Sequence, residues 1–341
     1  MEQISGYVHQ TGQYCGSAAL ANLATYYNWD FDEPTCFGLG GGIASMYVQP
    51  PESPWHGFVG RPPWLEELFF ETIGASYYLA EGVDWETAWD NVQAHLDMAE
   101  PALLFLDPAA LPGIEPGTHP LPHPVLAVGY DEKSVLIADG VRQDLVELSR
   151  ADLRDAWQFD GLVSWENRHL VVTDPAMGVE HTDAGNREVR SETQVSNRAI
   201  RKTTGYMLDT REYQRTTGAP GDHGLDALQT LAAELPTWAE SSDGAQAAAY
   251  TAACIDAFGD GAVFRGLYAD ALETLAPDAG IGGGQAERMQ RIADEWTDVA
   301  AILRDIDEDD PEPALNEAAS VVEAIAEQER SFFEHVRGEL Q

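Results

Sequence analysis

A cysteine at the mouth of a predicted helix constrains this chain more than any other feature. Cys15 is followed by Gly16 and Ser17, which mark a helix start, and then by an apolar run to Tyr27 that is dense enough for a buried helix. The positive end of the helix dipole favours the thiolate form of a cysteine placed there. An inert buried cysteine is the common alternative for this residue type. A nucleophilic role therefore requires a base elsewhere in the sequence.

A predicted β-hairpin far downstream supplies a histidine and an aspartate. His123 lies between two prolines, which hold its backbone extended, and opens an apolar strand that runs to Tyr130. The second strand of the hairpin covers 134–138 and is followed directly by Asp139. An imidazole at a strand start can pair with a thiolate, and a carboxylate at the end of the neighbouring strand can fix its orientation.

The order of these residues points to acyl chemistry. We predict that Cys15 is the nucleophile, His123 the base and Asp139 the group that orients the base. His119 is a rival base, but no predicted strand begins at it. Each residue also has a structural alternative, and for His123 that alternative is a histidine at a strand end with no catalytic part.

Two glutamines precede the cysteine, and either could supply an amide to an oxyanion hole beside the backbone N–H of Cys15. Gln10 and Gln13 both lie close enough in sequence, and their spacing alone does not choose between them. We expect Gln13, Gly16 and Gly41 to contact substrate. Gly41 belongs to a glycine-rich turn at 38–42, which lacks the lysine of a phosphate-binding loop and is better explained by a tight turn or a close approach.

Composition excludes some classes of partner. The formal net charge is -39, with 58 acidic residues against 19 basic ones, so the surface repels nucleic acid and anionic membranes. The acidic residues are spread along the chain and lysine is almost absent, which is typical of a protein adapted to high salt. We expect a halophilic source, no nucleic-acid partner and no membrane partner.

The cysteines and the N-terminus predict the compartment. The sequence has 3 cysteines at wide spacing, which does not suggest a disulfide framework. The first residues show neither the basic region nor the apolar core of a signal peptide, and no apolar stretch is long enough to span a bilayer. We expect a cytoplasmic protein with reduced thiols.

The chain changes character along its 341 residues. Residues 1–173 mix short strands with helices and predict an α+β domain, in which a helix packs on an antiparallel sheet. Residues 174–222 are polar and predict a connector with one helix. Residues 223–341 are rich in alanine, leucine and glutamate at helical spacing and predict an all-α domain of five helices.

Several motifs resemble a known family. The segment His9–Leu23, the turn Cys36–Ile43 with Tyr47 after it, and the strand His123–Asp131 resemble the N-terminal domain of butirosin biosynthesis protein H. In the helical part, Phe264–Asp270, followed by a tryptophan at position 296, resembles the uncharacterised helical domain that often accompanies it. The resemblance covers nearly the whole chain.

The resemblance implies a papain-like cysteine fold adapted to acyl transfer. It implies that Cys15, His123 and Asp139 form the catalytic set, and papain-like proteins favour Gln10 for the oxyanion hole because it lies five residues before the cysteine. It also implies a donor that is an acyl carrier protein or another thioester, and a small amine as acceptor. The chemistry requires no metal and no organic cofactor. We further expect the helical domain to cover the cleft or to mediate a homodimer.

The sequence leaves two rival functions open. A cysteine peptidase or amidohydrolase on the same fold would form the same acyl-enzyme and pass it to water. A binding module would keep the fold without the chemistry, and its Cys15 would react with alkylating agents no faster than Cys36 or Cys254.

Overall fold

The computed structural model describes residues 3–48, 55–112, 121–177, 180–181, 187–188, 190–210, 221–256 and 261–340. These residues form two compact units that are interleaved in sequence. The first unit contains residues 1–36 and 66–190, and the second contains residues 37–65 and 191–341. The units therefore share no single boundary in the chain. The division into residues 1–173, 174–222 and 223–341 therefore remains a prediction.

The first unit is built on an antiparallel sheet of six strands in the order β3-β10-β4-β5-β6-β7. Their bounds are β3 Ser76–Ala80, β4 Ala102–Leu106, β5 His123–Tyr130, β6 Ser134–Ala138, β7 Val146–Ser149 and β10 His169–Asp174. Two smaller pairs complete the strands of this unit: β8 Gln158–Asp160 with β9 Ser164–Glu166, and β11 Glu180–His181 with β12 Arg187–Glu188. The central strands β4 and β5 are almost entirely buried because they are covered on both faces.

Helices α1 Cys15–Tyr27, α4 Trp85–Asp97 and α5 Arg150–Ala156 belong to the same unit, as does α3 Leu65–Ile73 from its second residue onward. Helix α1 packs against β5 and buries Leu20, Leu23 and Ala24. It ends at Asn28, whose left-handed backbone conformation is the usual helix stop for asparagine and glycine. The predicted helix packed on an antiparallel sheet is thereby confirmed.

The second unit is mainly helical. Its helices are α6 Glu192–Leu208, α7 Gly224–Glu234, α8 Gly244–Ile255, α9 Arg265–Asp278, α10 Gln285–Arg304 and α11 Glu312–Glu339, with the end of α2 Glu33–Leu39. The five helices predicted after position 222 are all present, so the helical character of this region is confirmed. A small sheet in the order β13-β1-β2 joins Asp222–His223 to Met46–Val48 and Gly57–Val59.

A buried ion pair lies in the core of the second unit. Arg265 donates from Nε and Nη2 to the two carboxylate oxygens of Glu329 at 2.8 and 2.9 Å, and neither side chain is exposed. Nη2 also donates to the Ser45 hydroxyl, and the Trp296 indole donates to Glu329. Such a pair is tolerated in an apolar interior only when its remaining donors and acceptors are satisfied. Since Ser45 comes from the 37–65 segment, that segment completes the core of the helical unit.

The glycine-rich turn serves the same packing. A Cβ at Gly42, which has φ +53°, would lie 2.5 Å from the Tyr268 ring, and a Cβ at Gly38 would lie 2.5 Å from Leu275. The Thr203 hydroxyl donates to the Gly41 carbonyl at 2.6 Å. These glycines therefore allow the close approach of α9 to the turn, which is the explanation that the sequence favours.

Candidate active site

Cys15 is the first residue of α1, and its side chain is buried with 7% of the residue exposed. The residue at the N-cap is Tyr14, whose side chain makes no cap bond to the helix. The first backbone hydrogen bond of the helix runs from the Ala18 N–H to the Tyr14 carbonyl. The N–H of Cys15 therefore lies among the helix-terminal amides that have no acceptor within the helix. A thiol and an available N–H donor thus occur on the same residue.

His123 lies at the start of β5, the strand against which α1 packs. Its Nε2 lies 2.9 Å from Oδ1 of Asp139, which leaves Nδ1 for the Cys15 sulfur, to which the ring is also hydrogen-bonded. Burial by itself would lower the pKa of His123. The charge and hydrogen bond of Cys15, together with those of Asp139, outweigh burial and raise this pKa to about 10. The ring is thus an imidazolium at neutral pH.

Asp139 directly follows β6, which pairs with β5 through Leu126 and Ala138. The carboxylate is 3% exposed and bonds two other groups besides His123. The Val141 N–H donates to Oδ1 at 3.2 Å, and Arg142 Nε donates to Oδ2 at 2.9 Å. Burial favours the neutral acid, but the His123 bond and charge, followed by these donors, hold the Asp139 pKa below its usual value. Asp139 is therefore a carboxylate over the physiological range.

A close approach of backbone holds the two halves of this site together. The Gly12 N–H donates to the Gly140 carbonyl at 2.8 Å, which joins the loop before Cys15 to the residue after Asp139. A Cβ at Gly140 would lie 2.5 Å from the Cβ of Ala18 on α1. Glycine is needed there because any side chain would push the helix and its cysteine away from the strand end.

The structure does not bring Gln10 to the cysteine. The Gln10 side-chain amide donates to the Thr25 hydroxyl at 3.3 Å, and its backbone N–H donates to Asn22. Thr25 lies ten residues along α1 from Cys15, a rise of about 15 Å. The preference for Gln10 as the oxyanion-hole side chain is therefore corrected. Asn22 bonds both the N–H and the carbonyl of Gln10, and the Gln10 side chain bonds Thr25, away from the helix start.

The other predicted contact residues have different surroundings. Gln13 is exposed two residues before Cys15, so its side chain remains a candidate for the oxyanion hole. Gly16 is buried, and a Cβ there would lie 2.5 Å from a carboxylate oxygen of the fully buried Glu66. Gly41 belongs to the helical unit, and its substrate contact stays a prediction. His119, the rival base, lies outside the described residues.

Two charged residues of this site were not identified from the sequence. Arg142 bonds Asp139 from three positions further on, and its Nη2 also donates to the Pro112 carbonyl at 2.5 Å. Glu33, at the start of α2, bonds the segment around Cys15. The spacing of three residues between Asp139 and Arg142 could have predicted their ion pair, because both lie in one turn. Nothing in the sequence near Glu33 indicates its partners.

The remaining thiols are unlike Cys15 in their surroundings. All three cysteines are free. Burial, followed by the nearby charges of Asp32 and Glu33, raises the pKa of Cys36 well above its ordinary value. Burial raises the pKa of Cys254 to about 12. In the part of the chain that the structure describes, no group of three His, Cys, Asp or Glu side chains is arranged to hold a metal ion.

Two families match the chain. Residues 14–140 match the family described as butirosin biosynthesis protein H, N-terminal, and residues 180–336 match a domain of unknown function (DUF4872). No curated protein matches the chain. None of the helices in the described stretches is long and apolar enough to cross a membrane.

A C39-like peptidase from Bacillus anthracis is among the similar solved structures. It is 15% identical, its TM-score is 0.36, and the match covers 51% of this chain and 98% of that protein. The arrangement in the first unit, with a cysteine opening a helix that packs on an antiparallel sheet, is that of a papain-like cysteine enzyme. The chain thus combines a region that matches butirosin biosynthesis protein H, N-terminal, with a following region that matches DUF4872.

Proposed function

We propose that the protein is a cysteine-dependent acyltransferase that moves an acyl or aminoacyl group from a thioester to an amine. The observation that carries the proposal is the bonding of His123, which contacts the Cys15 sulfur on one side and Asp139 on the other. A thiolate beside an imidazolium attacks a thioester carbonyl without first losing a proton. Cys15, His123 and Asp139 are therefore assigned as nucleophile, acid–base group and orienting carboxylate.

The reaction has two steps. In the first, the Cys15 thiolate forms a bond to the acyl carbon, the donor C–S bond breaks, and the donor thiolate leaves with the proton of the His123 imidazolium. In the second, an amine attacks the acyl-enzyme, His123 accepts the amine proton, and the Cys15 thiolate leaves. The Cys15 N–H and the Gln13 amide would stabilise the oxyanion in both steps.

Charge supports an amine as acceptor. A net charge of -39 raises the local concentration of cationic amines near the protein, and high salt weakens this attraction. A thioester donor fits a thiol nucleophile because exchange between two sulfur esters is close to balanced in energy. An acyl carrier protein or a smaller thioester would serve as donor. Hydrolysis on the same fold differs only in that water takes the place of the amine.

The test uses a short-chain acyl thioester of N-acetylcysteamine with a diamine as acceptor. We expect amide product to exceed free acid, and we expect intact-mass spectrometry to show one acyl group on Cys15. The Cys15→Ala chain is the control and should give neither. Free acid as the main product, with cleavage of generic peptides, would support the hydrolase instead. Full turnover by Cys15→Ala would refute a thiol mechanism.

A further inference from the structure

Glu33 accepts hydrogen bonds from residues on both sides of the cysteine. Its Oε2 accepts the Gln13 N–H at 2.8 Å, and its Oε1 accepts the Tyr14 N–H at 2.9 Å. The same Oε1 accepts the Ser17 hydroxyl at 2.8 Å. One carboxylate thus holds two residues immediately before Cys15 and one residue in the first turn of α1.

This carboxylate bonds the two residues that lead into α1 and the side chain of its first turn. The Tyr14 side chain makes no cap bond to α1, whereas α4 is capped by Asp84 and α5 by Ser149. Glu33 comes from 18 residues further along the chain than Cys15. Gly12 packs directly on it, because a Cβ there would lie 2.3 Å from Oε2. A long-range carboxylate with a dedicated glycine therefore defines the path of the loop that enters the helix.

The bonds fix the direction of two donors. The bonded N–H groups of Gln13 and Tyr14 belong to the two peptide planes that flank the Gln13 Cα, and these planes determine the direction in which the Gln13 side chain leaves the backbone. The Ser17 bond fixes the first helical turn, and with it the Cys15 N–H. The Gln13 side-chain amide and the Cys15 N–H are the two groups that would donate hydrogen bonds to the oxyanion during acyl transfer.

We propose that Glu33 is a positioning residue that holds the Gln13 amide and the Cys15 N–H in the geometry of an oxyanion hole. The proposal rests on the proposed function, since an oxyanion forms only if Cys15 attacks an acyl group. Glu33 does not touch the reacting atoms. Its effect is transmitted through the backbone of residues 13–17, and it can be separated from a general loss of stability by comparing two reactions of the same thiol.

The two reactions differ in their need for an oxyanion hole. Acylation of Cys15 by a thioester passes through an oxyanion, and loss of one oxyanion donor costs about a hundredfold or more in rate. Alkylation of Cys15 by iodoacetamide needs the thiolate but forms no oxyanion. In Glu33→Gln, the side-chain NH2 cannot accept an N–H, so one of the two amides loses its partner. We expect the ratio of acylation rate to alkylation rate to fall at least about tenfold.

A matched control is available in the same unit. Asp84 accepts the N–H and the hydroxyl of Thr87 at the start of α4, so Asp84→Asn also removes a capping carboxylate. The ratio of acylation rate to alkylation rate in Asp84→Asn should equal that of the wild type. Amide hydrogen exchange provides the second readout: Gln13 and Tyr14 should exchange faster in Glu33→Gln and unchanged in Asp84→Asn.

The outcomes separate this proposal from the proposed function. If the wild type is never acylated while iodoacetamide modifies Cys15, the acyltransferase function itself fails. If the wild type is acylated and the ratio is unchanged in Glu33→Gln, only the role of Glu33 is overturned. If Glu33→Gln does not fold, Ser17→Ala removes the hydroxyl bonds to Glu33 and to the Tyr14 carbonyl and keeps both backbone bonds of Glu33. It should lower the ratio about threefold; an unchanged ratio would then overturn the proposal.

Discussion

His123 Nε2 lies 2.9 Å from Asp139 Oδ1, and the same carboxylate bonds Arg142 through its other oxygen. Asp139 therefore divides its charge between an imidazolium and a guanidinium. The ion pair between Cys15 and His123 depends on how much of that charge His123 receives. Changes at Asp139 and at Arg142 should consequently shift the titration of His123 in opposite directions.

Asp139→Asn should move the alkaline limit of acylation to lower pH. The pKa of His123 is about 10 in the native protein, above the ordinary value of 6.5, and Asp139 contributes to this rise. The stability that the imidazolium contributes is complete below about pH 6.5 and is lost as pH rises through about 10, and acylation loses the imidazolium over the same upper range. An asparagine oxygen can still bond the ring but carries no charge, so we expect about a tenfold loss at neutral pH. The pH profile of single-turnover acylation checks this, and an unshifted alkaline limb would contradict it.

Arg142→Gln should move the same limit to higher pH. Loss of the guanidinium leaves more of the Asp139 charge to His123, which strengthens the imidazolium. The side chain is about a third exposed, so solvent screens the effect, and we expect a small shift with a rate change of threefold or less, about 0.7 kcal/mol. A shift in the same direction as that of Asp139→Asn would show that Arg142 only supports the fold of the turn.

His169 should make the protein sensitive to acid. It is fully buried on β10, its Nδ1 bonds the Asn167 carbonyl at 3.0 Å, and burial lowers its pKa. The unfolded chain therefore binds a proton that the folded chain does not, and stability falls as pH decreases below about 6.5. Denaturant unfolding of His169→Gln at pH 8 and pH 5 should show a smaller difference in free energy than the wild type. An equal difference would mean that other groups govern acid unfolding.

The helical region should not fold without residues 37–65. A fragment of residues 180–341 contains the whole DUF4872 match but lacks Ser45, which bonds Arg265, and Phe58, which stacks on Trp296 at 5.2 Å. In the fragment, Arg265 loses its bond to Ser45 while its ion pair with Glu329 remains buried. A buried charge with an unsatisfied donor strongly destabilises the folded state. Circular dichroism during thermal unfolding should show no cooperative transition. A sharp transition like that of the full chain would prove this part independent.

Local patterns explain why part of the site was predictable. Cys15 opens a helix, His123 opens a strand and Asp139 follows the paired strand, so three element ends determined three positions. The ends of helices and strands can be predicted from the sequence because the spacing of apolar residues changes where an element begins or ends. The five C-terminal helices were predictable for the same reason, since their apolar spacing is strong and regular.

The misses are contacts between distant parts of the chain. Gln10 failed because its direction is set by Asn22, one residue on the flank of α1. Glu33 could not be identified from the sequence because two of its partners are backbone N–H groups, which every sequence has, and the third is the hydroxyl of Ser17, which lies 16 residues away. The 37–65 segment joins the helical unit through packing at Gly42 and through Ser45, and small residues carry little signal about what they pack against.

The central claim is that Cys15 is an activated thiol, and site-resolved alkylation tests it most directly. The native protein in high salt is treated with iodoacetamide across a pH series, and each cysteine is followed by mass spectrometry. We expect Cys15 to react at neutral pH at least about a hundredfold faster than Cys36 and Cys254, whose burial keeps them protonated. A Cys15 that reacts no faster than the other two would contradict the account and favour a binding module.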